Sequence, residues 1–153
     1  MILRTGNMFD WASEKPDVLL FCGNSSLTKD GRLVMGKGTA LEVKQRFSGI
    51  DKKLGTLIGL FPYYGVTYVR DRNYNLDIGS FQTKSDWRKP SNLGLIQHSV
   101  EMLLDLAVHP VWLSKQIWMP FPGIGSGGLR REDVLPLLQP LPENVSVWEK
   151  QKG

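Results

Sequence analysis

The sequence predicts an α/β layer fold, with helices packed on a mixed sheet. Three observations predict it. Val18, Leu19, Leu20, Phe21 and Cys22 form an unbroken apolar run, the pattern of a strand buried on both faces. Strand-like and helix-like segments alternate along the chain. Two glycine-rich stretches, at residues 36–38 and 123–128, each stand between a strand and a helix.

The elements follow in order. Residues 1–4 are short and apolar and read as a first strand, followed by a turn over 5–9. After the buried run, Gly23 and Asn24 end the strand, and residues 25–32 are a polar loop with Asp30-Gly31 as a turn signal. Ala40, Val43 and Phe47 keep a helical period, and Ser48-Gly49 supplies a C-cap. Residues 51–53 read as a charged link, and 56–62 as a strand interrupted by Gly59 and stopped by Pro62. Residues 66–69 and 74–81 read as two further strands. Ser91 is placed to cap a helix whose apolar face is Ile96, Val100, Leu103, Leu104 and Ala107 and which His109-Pro110 stops. A strand at 116–119, a short helix at 131–139 and a last strand at 145–148 complete the pattern.

Composition narrows the function. A chain of 153 residues with 41% hydrophobic and 22% charged side chains suits one globular domain with a core of its own. The single cysteine, Cys22, excludes an internal disulfide, fits a reducing cytoplasm, and in an apolar run reads as an inert core thiol. His98 and His109 have no cysteine near them, so no zinc pattern and no metal site is expected. No apolar stretch has the length of a membrane span, and the first residues lack a signal-peptide pattern. The formal charge of +4 is compatible with an anionic partner, but the basic residues are scattered rather than massed as in a nucleic-acid binder.

The candidate chemistry lies in the glycine stretches. A buried strand delivers Asn24 to its carboxyl end, and Met35-Gly36-Lys37-Gly38 opens the next helix. Ligands of open α/β sheets sit at strand carboxyl ends. Backbone N–H groups at a glycine-rich helix start favour a phosphate. Gly123, Ile124, Gly125, Ser126, Gly127 and Gly128 form a second such loop. Gly123, Gly125 and Gly128 satisfy Gly-x-Gly-x-x-Gly, yet too little chain follows for a dinucleotide-binding unit. Two phosphate-type loops at neighbouring strand ends suit a diphosphate held between them. A plain tight crossover is the structural alternative for each.

Five stretches together carry a resemblance: Gly6-Asn7-Met8-Phe9; residues 17–24; Val34 to Leu41 with Lys44 and Phe47; Thr83-Lys84-x-x-Trp87-Arg88-x-Pro90-Ser91; and Met119-Pro120 through Gly128-Leu129, followed by Asp133-Val134. In this order they resemble the macrodomains, the ADP-ribose-binding family. They are most similar to the branch holding the terminal ADP-ribose protein glycohydrolases and the DNA ADP-ribosyl glycohydrolase antitoxins. The resemblance implies a three-layer α/β fold, a mixed central sheet with helices on both faces, spanning residues 1–153 as a single macrodomain.

It also implies roles. Asn7 stands where macrodomains usually carry the aspartate that accepts the adenine amino group, and Met8 would touch the same ring. An asparagine oxygen can still accept that bond. Asn24 would face the distal ribose. Met35, Gly36, Lys37 and Gly38 would wrap that ribose and the diphosphate, and the 123–128 loop would donate to the phosphates. Lys84 matches the lysine implicated at the anomeric carbon. A lysine closed in near other cations loses proton affinity, and a neutral amine can attack that carbon or act as a base. Trp87 would stack on a base or fill the core edge, and Arg88 and Lys89 would meet nucleic-acid phosphate or solvent.

Protein-directed members carry an aspartate in the second glycine loop. Gly128-Leu129 replaces it here, as in DNA-directed members, which argues against a lysine–aspartate mechanism. Asp133, on the next helix, is the nearest aspartate in sequence and is not taken as its substitute. The 25–33 loop is longer than in the antitoxins and would lie beside the distal ribose. The expected function is binding of ADP-ribose and hydrolysis of an ADP-ribosyl linkage, with Lys84 and Asn24 catalytic, no cofactor, a monomeric state and ADP-ribosylated DNA among the candidate substrates. A non-catalytic module for ADP-ribose or another NAD-derived nucleotide and an ADP-ribose 1″-phosphate phosphatase are the alternatives.

Overall fold

The structure is a computed structural model and describes residues 1–151. Among these the chain forms β1 (Ile2–Thr5), β2 (Val18–Gly23), α1 (Gly38–Arg46), α2 (Ile50–Ile58), β3 (Val66–Asp71), β4 (Leu76–Gln82), α3 (Leu93–Val108), β5 (Ile117–Pro120), α4 (Arg131–Leu138) and β6 (Val145–Glu149). The strands make one sheet in the order β1-β6-β5-β2-β4-β3. All neighbouring pairs are parallel except β3 with β4. The carboxyl ends of β1, β6, β5, β2 and β4 therefore share one edge.

The apolar run of β2 is buried throughout because both faces are covered. Val18 and Leu20 point into a core shared with Ile96, Val100 and Leu103 of α3 and Val134 and Leu138 of α4. Leu19 and Phe21, on the opposite side of the pleat, join Ala40 and Val43 of α1 and Ile50, Leu54 and Ile58 of α2. Each such side chain contributes about 1.5–3 kcal/mol of burial. The same alternation sends Ile117 and Met119 of β5 to the first core and Trp118 to the second. A three-layer fold with helices on both faces results, as expected.

One stretch differs from its expected form. Residues 51–53 are no link and 56–62 no strand: both belong to α2 and the turn after it. The local run Leu57-Ile58-Gly59-Leu60-Phe61 reads as apolar and extended, but Ile50, Leu54 and Ile58 are the buried set, and their spacing is helical. Gly49, expected to close α1, sits at the start of α2 with φ 80, and Phe47 ends α1. Gly55 is required inside α2 because a Cβ there would overlap the Gly31 carbonyl.

The 25–33 loop is thereby docked onto α2. The Leu33 N–H donates to the Asp51 carbonyl at 2.9 Å, and Arg32 pairs with Asp51 at 3.2 Å. A Leu27–Leu33 bridge and the Asp30–Arg32 pair at 2.9 Å hold the loop's own shape. At α3 the cap is Asn92, whose Oδ1 accepts from the Leu95 N–H at 3.0 Å, rather than Ser91, which turns inward.

Candidate functional site

Three loops meet at the shared carboxyl edge, and β2 holds them together. The Gly23 carbonyl accepts from the N–H groups of Thr83, at 2.9 Å, and Lys84, at 3.3 Å, which sets the lysine beside the end of β2. Cys22, half-buried, takes a backbone hydrogen bond from Gly123 and lies in the field of Lys84. The β2 end, the Lys84 loop and the second glycine loop thus converge on one point. Desolvation outweighs both neighbours and pushes the Cys22 thiol up to about 12, so it is a neutral thiol at this convergence rather than a nucleophile.

Asn24 is braced on both sides of its amide. Its Nδ2 donates to the Val34 carbonyl at 3.1 Å, and its Oδ1 accepts from the Ser26 N–H at 2.9 Å. Its backbone carbonyl accepts from the Tyr64 hydroxyl at 2.7 Å. One N–H and one lone pair of the amide remain for a ligand. The side chain therefore shapes the 25–34 loop.

Lys84 is half-buried, and among the described residues no carboxylate lies within ion-pair reach of it. Asp133 does not fill that role, because it pairs with Arg130 at 3.1 Å. Nor does Asp86. Hydrogen bonds from the Arg88 guanidinium, then from the Arg88 N–H, hold its carboxyl well below the usual carboxylate range. That pairing also occupies Arg88, while Trp87, 49% exposed, is no part of the core edge. Two hydrogen bonds staple the Lys84 loop to the Asn24 loop: Ser25 Oγ to the Ser85 carbonyl at 2.6 Å, and the Trp87 N–H to Ser26 Oγ at 3.0 Å.

The glycine stretches present backbone. Gly36, Lys37 and Gly38 are exposed above the buried Met35, with Lys37 at the N-cap of α1. In the second loop, Gly125–Gly127 forms a 3-10 turn, whose first N–H groups have no partner within it. Gly125, Ser126 and Gly128 are exposed while Ile124 packs against the first core, Gly125 has φ 68, and nothing lies within 4 Å of where its Cβ would be. Asn7, next to the end of β1, spends an Oδ1 lone pair on the Phe9 N–H at 2.9 Å, and Met8 is buried beneath it. The fold places all the expected ligand residues on the loops of this one edge.

Sequence reasoning did not single out the polar network beneath the site. Gln82 Oε1 accepts from the N–H groups of Tyr64, at 2.8 Å, and Gly65, at 3.0 Å. Its Nε2 donates to the carbonyls of Pro62, at 2.7 Å, and Lys84, at 3.0 Å. Tyr64 reaches Ser80 Oγ at 2.7 Å, and burial pushes its phenol above the ordinary value, keeping it a neutral donor to Asn24. Polar residues in a strand buried along its whole length, Ser80 and Gln82 among them, were the available signal. Among the described residues no group of acidic, histidine or cysteine side chains is arranged for a metal ion, and no helix is long and apolar enough to cross a membrane.

No protein-family model and no curated protein sequence matches the chain. Solved structures do. The macrodomain of Thermus aquaticus DarG is 25% identical, with 99% of each chain covered and a TM-score of 0.73. The macrodomain of Mycobacterium tuberculosis DarG is 25% identical over 99% of each chain, with a TM-score of 0.72. Thermosipho africanus DarTG, solved in complex with ADP-ribose, is 20% identical with a TM-score of 0.74; the match covers 99% of this chain and 42% of that one. The fold expected from the five sequence stretches is thus the fold observed: the chain is a macrodomain by architecture, and its likeness runs to the DarG branch.

Proposed function

We propose that the cleft binds ADP-ribose and that the protein hydrolyses an ADP-ribosyl linkage at the distal ribose, with Lys84 as the catalytic residue. One observation carries this: the end of β2, the Lys84 loop and the second glycine loop converge at Cys22, and this supports an amine acting between Asn24 and a phosphate-type loop. The ADP-ribose complex of DarTG, which shares the fold, supports the ligand.

In this reading the 123–128 loop and residues 36–38 donate backbone N–H groups to the diphosphate, Asn7 and Met8 meet the adenine, and Asn24 orients the distal ribose. The Lys84 amine attacks C1″. The C1″–acceptor bond breaks, the acceptor keeps its electron pair and takes a proton, and water then cleaves the C1″–lysine bond to release ADP-ribose. No metal or redox group is required. A groove of about 380 Å³ lined by Tyr63, Ser85, Asn92, Leu95 and His98 opens at Ser85, next to Lys84, and gives an acceptor room. ADP-ribosylated DNA is the acceptor class tested first, and the protein acts as a monomer.

A binding module without turnover is the second reading. The engagement of both ends of the Asn24 amide within its own loop favours it. Removal of the phosphate from ADP-ribose 1″-phosphate is assayed alongside.

The test is calorimetric titration with ADP-ribose of wild type and Gly127→Glu, then release assays on ADP-ribosylated DNA, ADP-ribosylated protein and the 1″-phosphate. A side chain at 127 overlaps Ser91 Oγ and adds a negative charge to the cradle. Micromolar binding by wild type, weakened about 100-fold or more in the variant, is the expected result. Equal binding by both would remove the cradle from the site.

A further inference from the structure

Ser91 is out of keeping with its surroundings. It ends the Lys84 loop immediately before the cap of α3, and it is 6% exposed. Its N–H donates to the Gly127 carbonyl at 2.9 Å, joining the Lys84 loop to the second glycine loop, while the next N–H, of Asn92, closes on the Thr83 carbonyl at 3.0 Å. Its Cβ lies 3.5 Å from where a Cβ at Gly123 would be, and its Oγ lies close enough to overlap one at Gly127. That Oγ is shielded from solvent and has no hydrogen-bond partner among the described residues. Native interiors rarely leave a hydroxyl in this state, and a replacement of the same volume could carry none.

We propose that Ser91 is a ligand-binding residue that couples the second glycine loop to its ligand. Its hydroxyl, unpaired when the loop sits as described, donates to a phosphate oxygen of a bound nucleoside-diphosphate sugar once the Gly125–Gly127 turn shifts aside. Positive φ values at Gly123, Gly125 and Gly128, 80, 68 and 78, place the turn between residues that can rotate without a Cβ clash. The shift opens the shielded hydroxyl, and the bond formed to a charged oxygen is stronger than one to a neutral acceptor. Occupancy of the cradle is thereby passed to the backbone of the loop carrying Lys84. This inference rests on the reading that the cleft takes ADP-ribose.

The effects on the unliganded protein and on binding have opposite signs, and that makes the test selective. Ser91→Ala removes a hydroxyl that has no partner, so the melting temperature without ligand is expected to hold or rise. Affinity for ADP-ribose by calorimetry is expected to fall about tenfold, the scale of one charge-assisted bond. Ser91→Cys, which keeps a weak donor at nearly the same size, is expected to fall between the two. The amide resonance of Gly127 should move on saturation of wild type and move less in Ser91→Ala. Unchanged affinity in both variants would overturn the proposal, as would a melting temperature lowered in Ser91→Ala without ligand, because the hydroxyl would then be bonded already. Failure of wild type to bind ADP-ribose would instead remove the reading of the cleft, and the role of Ser91 with it.

Discussion

Lys84→Ala is expected to slow ADP-ribose release by about 10²- to 10⁴-fold, the range over which a positioned reacting group contributes. It is expected to leave the Kd for free ADP-ribose within about threefold. The two effects separate because, in the proposed mechanism, the amine acts at C1″ as the bond breaks, whereas the backbone donors and the adenine contact supply the affinity. The substitution is also gentle to the fold. The Lys84 side chain has no carboxylate partner among the described residues, and the contacts that hold its loop run through the backbone: its N–H to Gly23 and its carbonyl from Gln82. Single-turnover assays on an ADP-ribosylated oligonucleotide, with calorimetry on the same preparations, check both halves. Equal turnover by wild type and variant would dismiss the amine as the reacting group. Loss of affinity in step with rate would make it a binding residue.

Gln82→Ala is expected to cost about 3 kcal/mol of folding stability and to lower the melting temperature by about 10 °C. Gln82 is fully buried, and its amide satisfies four backbone groups, the N–H of Tyr64 and Gly65 and the carbonyls of Pro62 and Lys84. An alanine leaves all four without that partner, and water entering the gap recovers part of the loss. The network also braces the candidate site: Tyr64 reaches the Asn24 carbonyl, and Gln82 holds the Lys84 carbonyl. A chemical-denaturation series gives the stability. ADP-ribose affinity, measured below the lowered transition, is expected to fall several-fold as both loops lose their anchor. A stability change under about 1 kcal/mol would mean that the amide is not the common support of these loops.

What could be read from the sequence was governed by the range of the interactions involved. The β2 run, the two glycine stretches and the α3 face are patterns within single segments, and each formed where expected. Helix α2 was misread because Leu57 to Phe61 form a contiguous apolar run. Only the depth of the second core distinguishes buried Ile58 from exposed Leu57, Leu60 and Phe61. Capping of α3 moved by one residue because Ser91 has a partner far along the chain, the Gly127 carbonyl, which local capping preference does not register. The site divides in the same way. Motif order proposes Asn24, Lys84 and both glycine loops, but the bracing of Asn24 by Val34, the pairing of Arg88 with Asp86 and the Gln82 network are specified by tertiary contacts.

The most direct measurement is a proton–nitrogen correlation spectrum of the isotope-labelled protein titrated with ADP-ribose. The account predicts saturable shifts concentrated on the amides of Asn7, Asn24, Gly36 to Gly38, Lys84 and Gly123 to Gly128, at the shared carboxyl edge of the sheet. Residues of the apolar groove between β3 and α3, such as Tyr68 and Met102, should stay still. Shifts centred on that groove, or none at millimolar ligand, would contradict the claim that this edge is an ADP-ribose site.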